Sequence, residues 1–130
     1  VQPFTGHVWW VNAGHEPALV LDAAGQVRAR LAPNGPALGL FPGVTLGTGT
    51  ARLAPGETLL VTTDGVSEAR DPAGGFFGDE RLAALCAGAP RGADALVRCV
   101  TDAVRGFAAG AEAADDLTLL ALHRTAGALR

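Results

Sequence analysis

The sequence predicts an α+β domain in which helices pack on an antiparallel sheet. Three observations predict it. Short apolar and β-branched runs fill the first half of the chain. Two stretches with helical spacing follow, one from Asp79 and one from Ala93 to Ala108. A last apolar run, Leu117-Thr118-Leu119-Leu120-Ala121-Leu122, comes after them. Strands and helices segregated in this way form separate packed layers. No internal repeat interrupts the order.

The elements follow one by one. His7 to Val11 is rich in β-formers, and Asn12-Ala13-Gly14-His15 reads as a turn. Ala18 to Leu21 is a short strand. Asp22 to Gly25 is a hairpin-like connection, and Gln26 to Leu31 alternates as a strand does. These three strands read as an antiparallel meander. Pro33 to Gly49 is a Gly- and Pro-rich loop with a short strand in its second half. Pro55-Gly56 signals a turn before Thr58–Thr63. That run is almost wholly apolar or β-branched, so it is expected to be central and covered on both faces. Asp71 to Gly75 is a further loop. From Asp79 a helix places Leu82, Leu85 and Cys86 on one face. In the helix over Ala93 to Ala108, Leu96, Val97, Val100, Val104 and Phe107 recur at steps of three and four and make one apolar stripe. Gly110 to Ala114 is a small-residue loop, and a frayed tail is expected from Thr125.

Length and composition limit the function classes. A chain of 130 residues is one domain long and can bury a core. The formal net charge is −3 and no cluster of Lys or Arg occurs, which argues against a nucleic-acid-binding face. No apolar run approaches the roughly 20 residues of a membrane span, and no signal-peptide pattern is present. Cys86 and Cys99 belong to no short motif and read as small buried hydrophobes of a reducing compartment. The chain starts at Val1 in a strand-like segment and contains no methionine, so a piece of a longer protein is expected.

Chemistry concentrates at two acidic sites. Thr58–Thr63 runs into Asp64-Gly65, and Asp115-Asp116 leads into the last strand, about fifty residues later. A carboxylate at the end of a buried strand is held rigidly, and hard divalent cations take such oxygen ligands. Each site also has a plainer reading. Asp-Gly is a common turn pair, and paired acids before a strand can simply be solvated. Glu68 reads as surface or as outer support. His15 reads as a structural hydrogen bonder beside a turn, and Asn12 suits that turn. His7 and His123 read as strand-face residues. No base is placed beside either cysteine or Ser67 to make a nucleophile. No phosphate-cradling glycine motif occurs, because no Gly-Lys-Ser/Thr follows Gly39, Gly43, Gly47 or Gly49.

Taken in order, several segments resemble the SpoIIE/RsbU-type branch of the PP2C-like, metal-dependent serine/threonine phosphatases. They are Asn12-Ala13-Gly14-His15-Glu16-Pro17-Ala18-Leu19-Val20; Gly35-Pro36-Ala37-Leu38-Gly39-Leu40; Leu53 through Arg70, with Thr63-Asp64-Gly65 inside it; Phe77-Gly78-Asp79-Glu80-Arg81-Leu82; and Asp115-Asp116-Leu117-Thr118-Leu119-Leu120. The resemblance covers nearly the whole chain, and its specificity lies in the ordered set.

The resemblance implies an α-β-β-α sandwich carrying two Mn²⁺ or Mg²⁺ ions at one end, where a metal-activated water attacks phosphorus directly. It maps metal ligands onto Asp64 and Asp115, with Gly65 and Asp116 as backbone or outer support. It implies a bacterial, cytoplasmic protein phosphatase acting on a phosphorylated STAS-type anti-anti-sigma factor, with a sensor domain upstream. The aspartate-glycine metal motif of the family's N-terminal half has no counterpart here. Residues 1–124 are therefore expected to be the C-terminal portion of the domain, an incomplete sandwich followed by a tail at 125–130. Alone, the chain is expected to bind metal weakly and turn over poorly or not at all, and a homodimer is one way to cover apolar faces left open. The rival reading is a catalytically inactive interaction module in sigma-factor regulation. A metal hydrolase of another fold would need His ligands, and the three histidines lack ligand spacing.

Overall fold

The computed structural model of the chain describes residues 1–111 and 116–127. Its strands are β1 (His7–Trp10), β2 (Ala18–Leu21), β3 (Val27–Leu31), β4 (Gly49–Arg52), β5 (Thr58–Thr62) and β6 (Leu119–His123). Its helices are α1 (Asp64–Ser67), α2 (Gly78–Gly88) and α3 (Ala93–Ala108). The strands form two antiparallel sheets, one of β1 and β4 and one in the order β3-β2-β5-β6.

Side-chain alternation along β2 and β5 explains the layers, because successive residues of a strand point to opposite faces. Leu19 and Leu21 of β2 and Leu60 of β5 join a core built with Val66, Phe77, Leu82, Cys86, Leu96, Val100 and Val104. Val20 of β2 and Leu59 of β5 face the other way, into a second core with Val8, Leu31 and Leu53. The larger sheet is thus covered by helices on one face and by the β1–β4 sheet on the other. The described residues form three layers, β-β-α, of the expected four-layer sandwich. The central, doubly covered strand expected at Thr58–Thr63 is β5, flanked by β2 and β6.

The expected meander is corrected in one respect. β2 and β3 form the hairpin, but β1 leaves for the other sheet and pairs with β4, from His7↔Arg52 to Trp10↔Gly49. Two asparagines exchange hydrogen bonds where β1 ends. The Asn12 N–H donates to Asn34 Oδ1 at 2.7 Å, and Asn34 Nδ2 donates to the Trp10 carbonyl at 3.2 Å. The end of β1 is thereby tied to the loop that precedes β4. The short strand expected within Pro33–Gly49 begins only at Gly49. A Cβ at Gly49 would meet the Trp10 indole, so any larger residue there must displace that ring.

Other boundaries shift by a residue or two. β5 ends at Thr62, α2 begins at Gly78, and β6 starts at Leu119 instead of Leu117. α3 matches its expected span, with Leu96, Val100 and Val104 buried. Glu57 is a buried carboxylate that the sequence did not single out. It takes two hydrogen bonds from Arg28, at 2.7 and 2.8 Å, and one from the Ala54 N–H at 2.8 Å.

Candidate functional site

The antiparallel register of β5 and β6 decides where the acids lie. It runs from Thr58↔His123 to Thr62↔Leu119. The end of β5 and the start of β6 therefore meet at one end of the sheet, and the residues just outside the ladder, Asp64 and Asp116, flank that end. Asp115 lies outside the described residues.

Asp64 does not sit in a simple turn, as a strand-ending Asp-Gly suggested, but opens the one-turn helix α1. Its side chain is exposed, while Gly65 and Val66 behind it are buried, Val66 completely. The chain is anchored on the core side and presents the carboxylate outward. The Glu68 N–H closes the turn on the Asp64 carbonyl at 2.7 Å, and the exposed Glu68 side chain stands on the same rim.

Thr63 joins the two acidic segments. Its N–H donates to the Thr118 carbonyl at 3.1 Å. Its hydroxyl donates to the Asp116 carbonyl at 3.0 Å and accepts from the Thr118 N–H at 3.1 Å. Asp116 is exposed beside this clamp. Gly65, Glu68 and Asp116 share one groove of about 820 Å³, which Thr101 and Arg105 of α3 and Arg70 also line.

The other candidates take structural places. The His15 N–H donates to Asn12 Oδ1 at 2.8 Å, and its ring Nδ1 lies 3.2 Å from the Glu16 carbonyl. The Asn12 amide donates to the carbonyls of His15, Glu16 and Leu31. His123 pairs across the sheet with Thr58, Nδ1 to Oγ1 at 2.9 Å. Both cysteines are free thiols. Burial, and secondarily the neighbouring Cys99, pushes the Cys86 thiol up from 9.0 to about 11. A nucleophilic thiol needs the opposite shift.

Oxygen-only donors on rigid strand ends suit a hard divalent cation. Among the described residues, no group of three or more His, Cys, Asp or Glu converges to hold one. Asp64 and Asp116 are two described carboxylates that flank this end of the sheet. Sequence reasoning did not assign a part to Thr63, although its place directly before Asp64 was visible.

Two antiparallel sheets with a helical layer on one face are the fold that this chain shares with solved PP2C domains. Residues 1–125 match the family described as Stage II sporulation protein E (SpoIIE), and the chain belongs to that family. It is 34% identical over 119 residues to Protein IcfG of Synechocystis sp., a match covering 92% of this chain and 19% of that protein. Its fold resembles the RsbU and RsbW domains of Rv1364c from Mycobacterium tuberculosis, with a TM-score of 0.73, 28% identity and coverage of 96% of this chain and 35% of that one. It also resembles the SiaA-PP2C domain of Pseudomonas aeruginosa, with a TM-score of 0.73, 20% identity and coverage of 92% and 47%. For the phosphatase domain of SpoIIE from Bacillus subtilis the TM-score is 0.67 at 12% identity, covering 98% and 59%. The chain spans about a fifth of the curated relative and between about a third and three fifths of these solved chains.

Proposed function

We propose that this chain is the C-terminal portion of a Mn²⁺- or Mg²⁺-dependent protein phosphoserine/phosphothreonine phosphatase, residues 1–124 belonging to the domain and 125–130 forming a tail. The observation that carries the reading is the meeting of Asp64 with the acid-bearing start of β6 at one sheet end, in a chain of the SpoIIE family. Asp64 and Asp115 would hold metal, with Gly65 and Asp116 supporting them. The bound ions would supply an activated water and neutralise phosphoryl charge. The chain's own contribution is to fix one carboxylate on a core-anchored turn and to keep the second acidic segment beside it.

The substrate in this reading is a phosphorylated anti-anti-sigma regulator, supported by the likeness to part of a chain that carries RsbU and RsbW domains. The lack of a counterpart in this sequence to the family's N-terminal aspartate-glycine motif supports an isolated chain of low metal affinity and little or no turnover. The parent is assigned to the bacterial cytoplasm, with a sensor domain preceding this one. No described helix is long and apolar enough to cross a membrane. Exposed Trp9 and Leu120, each more than half accessible, lie on faces that further chain or a second copy would cover.

The test compares this chain with its parent. The parent is expected to bind Mn²⁺ in calorimetry and to hydrolyse a phosphoserine peptide. Asp64→Ala in the parent is expected to lower kcat/KM at least about a hundredfold, with the melting temperature little changed, because a ligand matters at least as much as its outer-shell supports. A parent with Asp64→Ala that kept its activity would sink the assignment. A parent that neither bound metal nor hydrolysed phosphate would leave the inactive interaction module in its place.

A further inference from the structure

We propose that Thr63 is a positioning residue whose hydroxyl locks the segment carrying Asp116 to the turn carrying Asp64. The part of this inference that concerns metal rests on the phosphatase reading above.

The argument begins with the ladder. Beyond Thr62↔Leu119, the next pair of β5 and β6 would be Thr63 and Thr118. In an antiparallel sheet every second pair exchanges two backbone hydrogen bonds, and Thr63–Thr118 falls at such a position, in step with Glu57–Arg124. One of them is present, from the Thr63 N–H to the Thr118 carbonyl at 3.1 Å. The return bond does not form: the Thr63 carbonyl accepts from the Val66 N–H at 3.1 Å, which starts the turn of α1. The Thr63 hydroxyl replaces it and accepts from the Thr118 N–H at 3.1 Å.

A hydroxyl also has one proton to give. Thr63 gives it to the Asp116 carbonyl at 3.0 Å. One side chain therefore lets the backbone leave the strand at Thr63, aims Asp64 outward, and still holds residues 116–118 in ladder register. Valine has nearly the same shape but makes neither bond, and serine can make both.

The experiment uses the full parent protein with Thr63→Val and Thr63→Ser. Two readouts are taken, amide hydrogen exchange at residues 116–118 and Mn²⁺ affinity by calorimetry. With Thr63→Val, exchange at Thr118 is expected to quicken at least about tenfold while the interior of the β5–β6 ladder keeps its protection. Mn²⁺ affinity is expected to fall by about 10–100-fold, the range for lost outer-shell support. Thr63→Ser is expected to stay within about twofold of the native protein on both, the residual reflecting that single side-chain hydrogen bonds are individually modest. Unchanged Thr118 exchange in Thr63→Val, or a serine variant as impaired as the valine one, overturns the clamp. If exchange responds as expected but the native parent takes up no Mn²⁺, the clamp stands and the phosphatase reading falls. If Mn²⁺ binds equally to native and valine proteins, the positioning role is overturned.

Discussion

Glu57 shows how much one buried carboxylate can organise. It is 7% exposed and satisfies Arg28 from β3 through a two-pronged pair, together with the N–H of Ala54 in the preceding turn. Removing one partner of such a pair strands the others, which costs more than the intact pair contributes. The Arg28 side chain keeps 43% of its exposure and can recover water, so the penalty lies below that of a fully buried pair. Glu57→Ala is expected to destabilise the chain by about 2 kcal/mol, and Glu57→Gln by about half as much. Urea titration checks both, and equal midpoints for the native and alanine proteins would refute the estimate. Residues of this kind are hard to find in a sequence. In Pro55-Gly56-Glu57-Thr58 the glutamate looks like ordinary turn polarity, and only the fold brings Arg28 to it.

At the level of elements, legibility follows how local the determinants are. α3 was readable to the residue because its apolar stripe repeats within a single segment. β5 was readable because every residue in it suits a covered strand. β4 was not, since Gly49-Thr50-Ala51-Arg52 has no strand-like pattern and pairs with β1 from Trp10↔Gly49 to His7↔Arg52, far away in sequence. α1 was hidden because its single turn is held by the burial of Gly65 and Val66, not by helix propensity. The β2–β3 hairpin was legible in its Asp22-Ala23-Ala24-Gly25 turn, but not in what the turn touches. Gly25 has φ +82°, and a Cβ there would come 2.5 Å from the Cys86 carbonyl at the end of α2. Gly25→Ala combines a left-handed backbone with a collision against a packed helix. It is expected to cost about 1–3 kcal/mol, measurable as a lowered urea midpoint, and an unchanged midpoint would show that the hairpin can move off α2.

For the whole molecule, the layered architecture and the end of the sheet where the acids gather could be argued from sequence. The division of strands between two sheets could not, because β1 pairs with a strand far away in sequence, where Asn12 meets Asn34 and the Trp10 indole lies over Gly49. Asp64 could be singled out in the sequence as a candidate by its place after an apolar strand; the hydrogen bonds of Thr63 to residues 116–118 needed the register. One further consequence follows from Leu59 and Leu60, which are adjacent in sequence yet buried in different cores. Neither core can melt without dislodging the strand that seals the other, so denaturation should be one cooperative event. The chain offers a direct optical check. Its two tryptophans, Trp9 and Trp10, both lie in β1, so fluorescence reports on the small sheet while far-ultraviolet ellipticity is dominated by the helices. The two signals are expected to lose half their amplitude at the same denaturant concentration. A fluorescence change that clearly preceded the loss of ellipticity would mean that the small sheet peels away on its own.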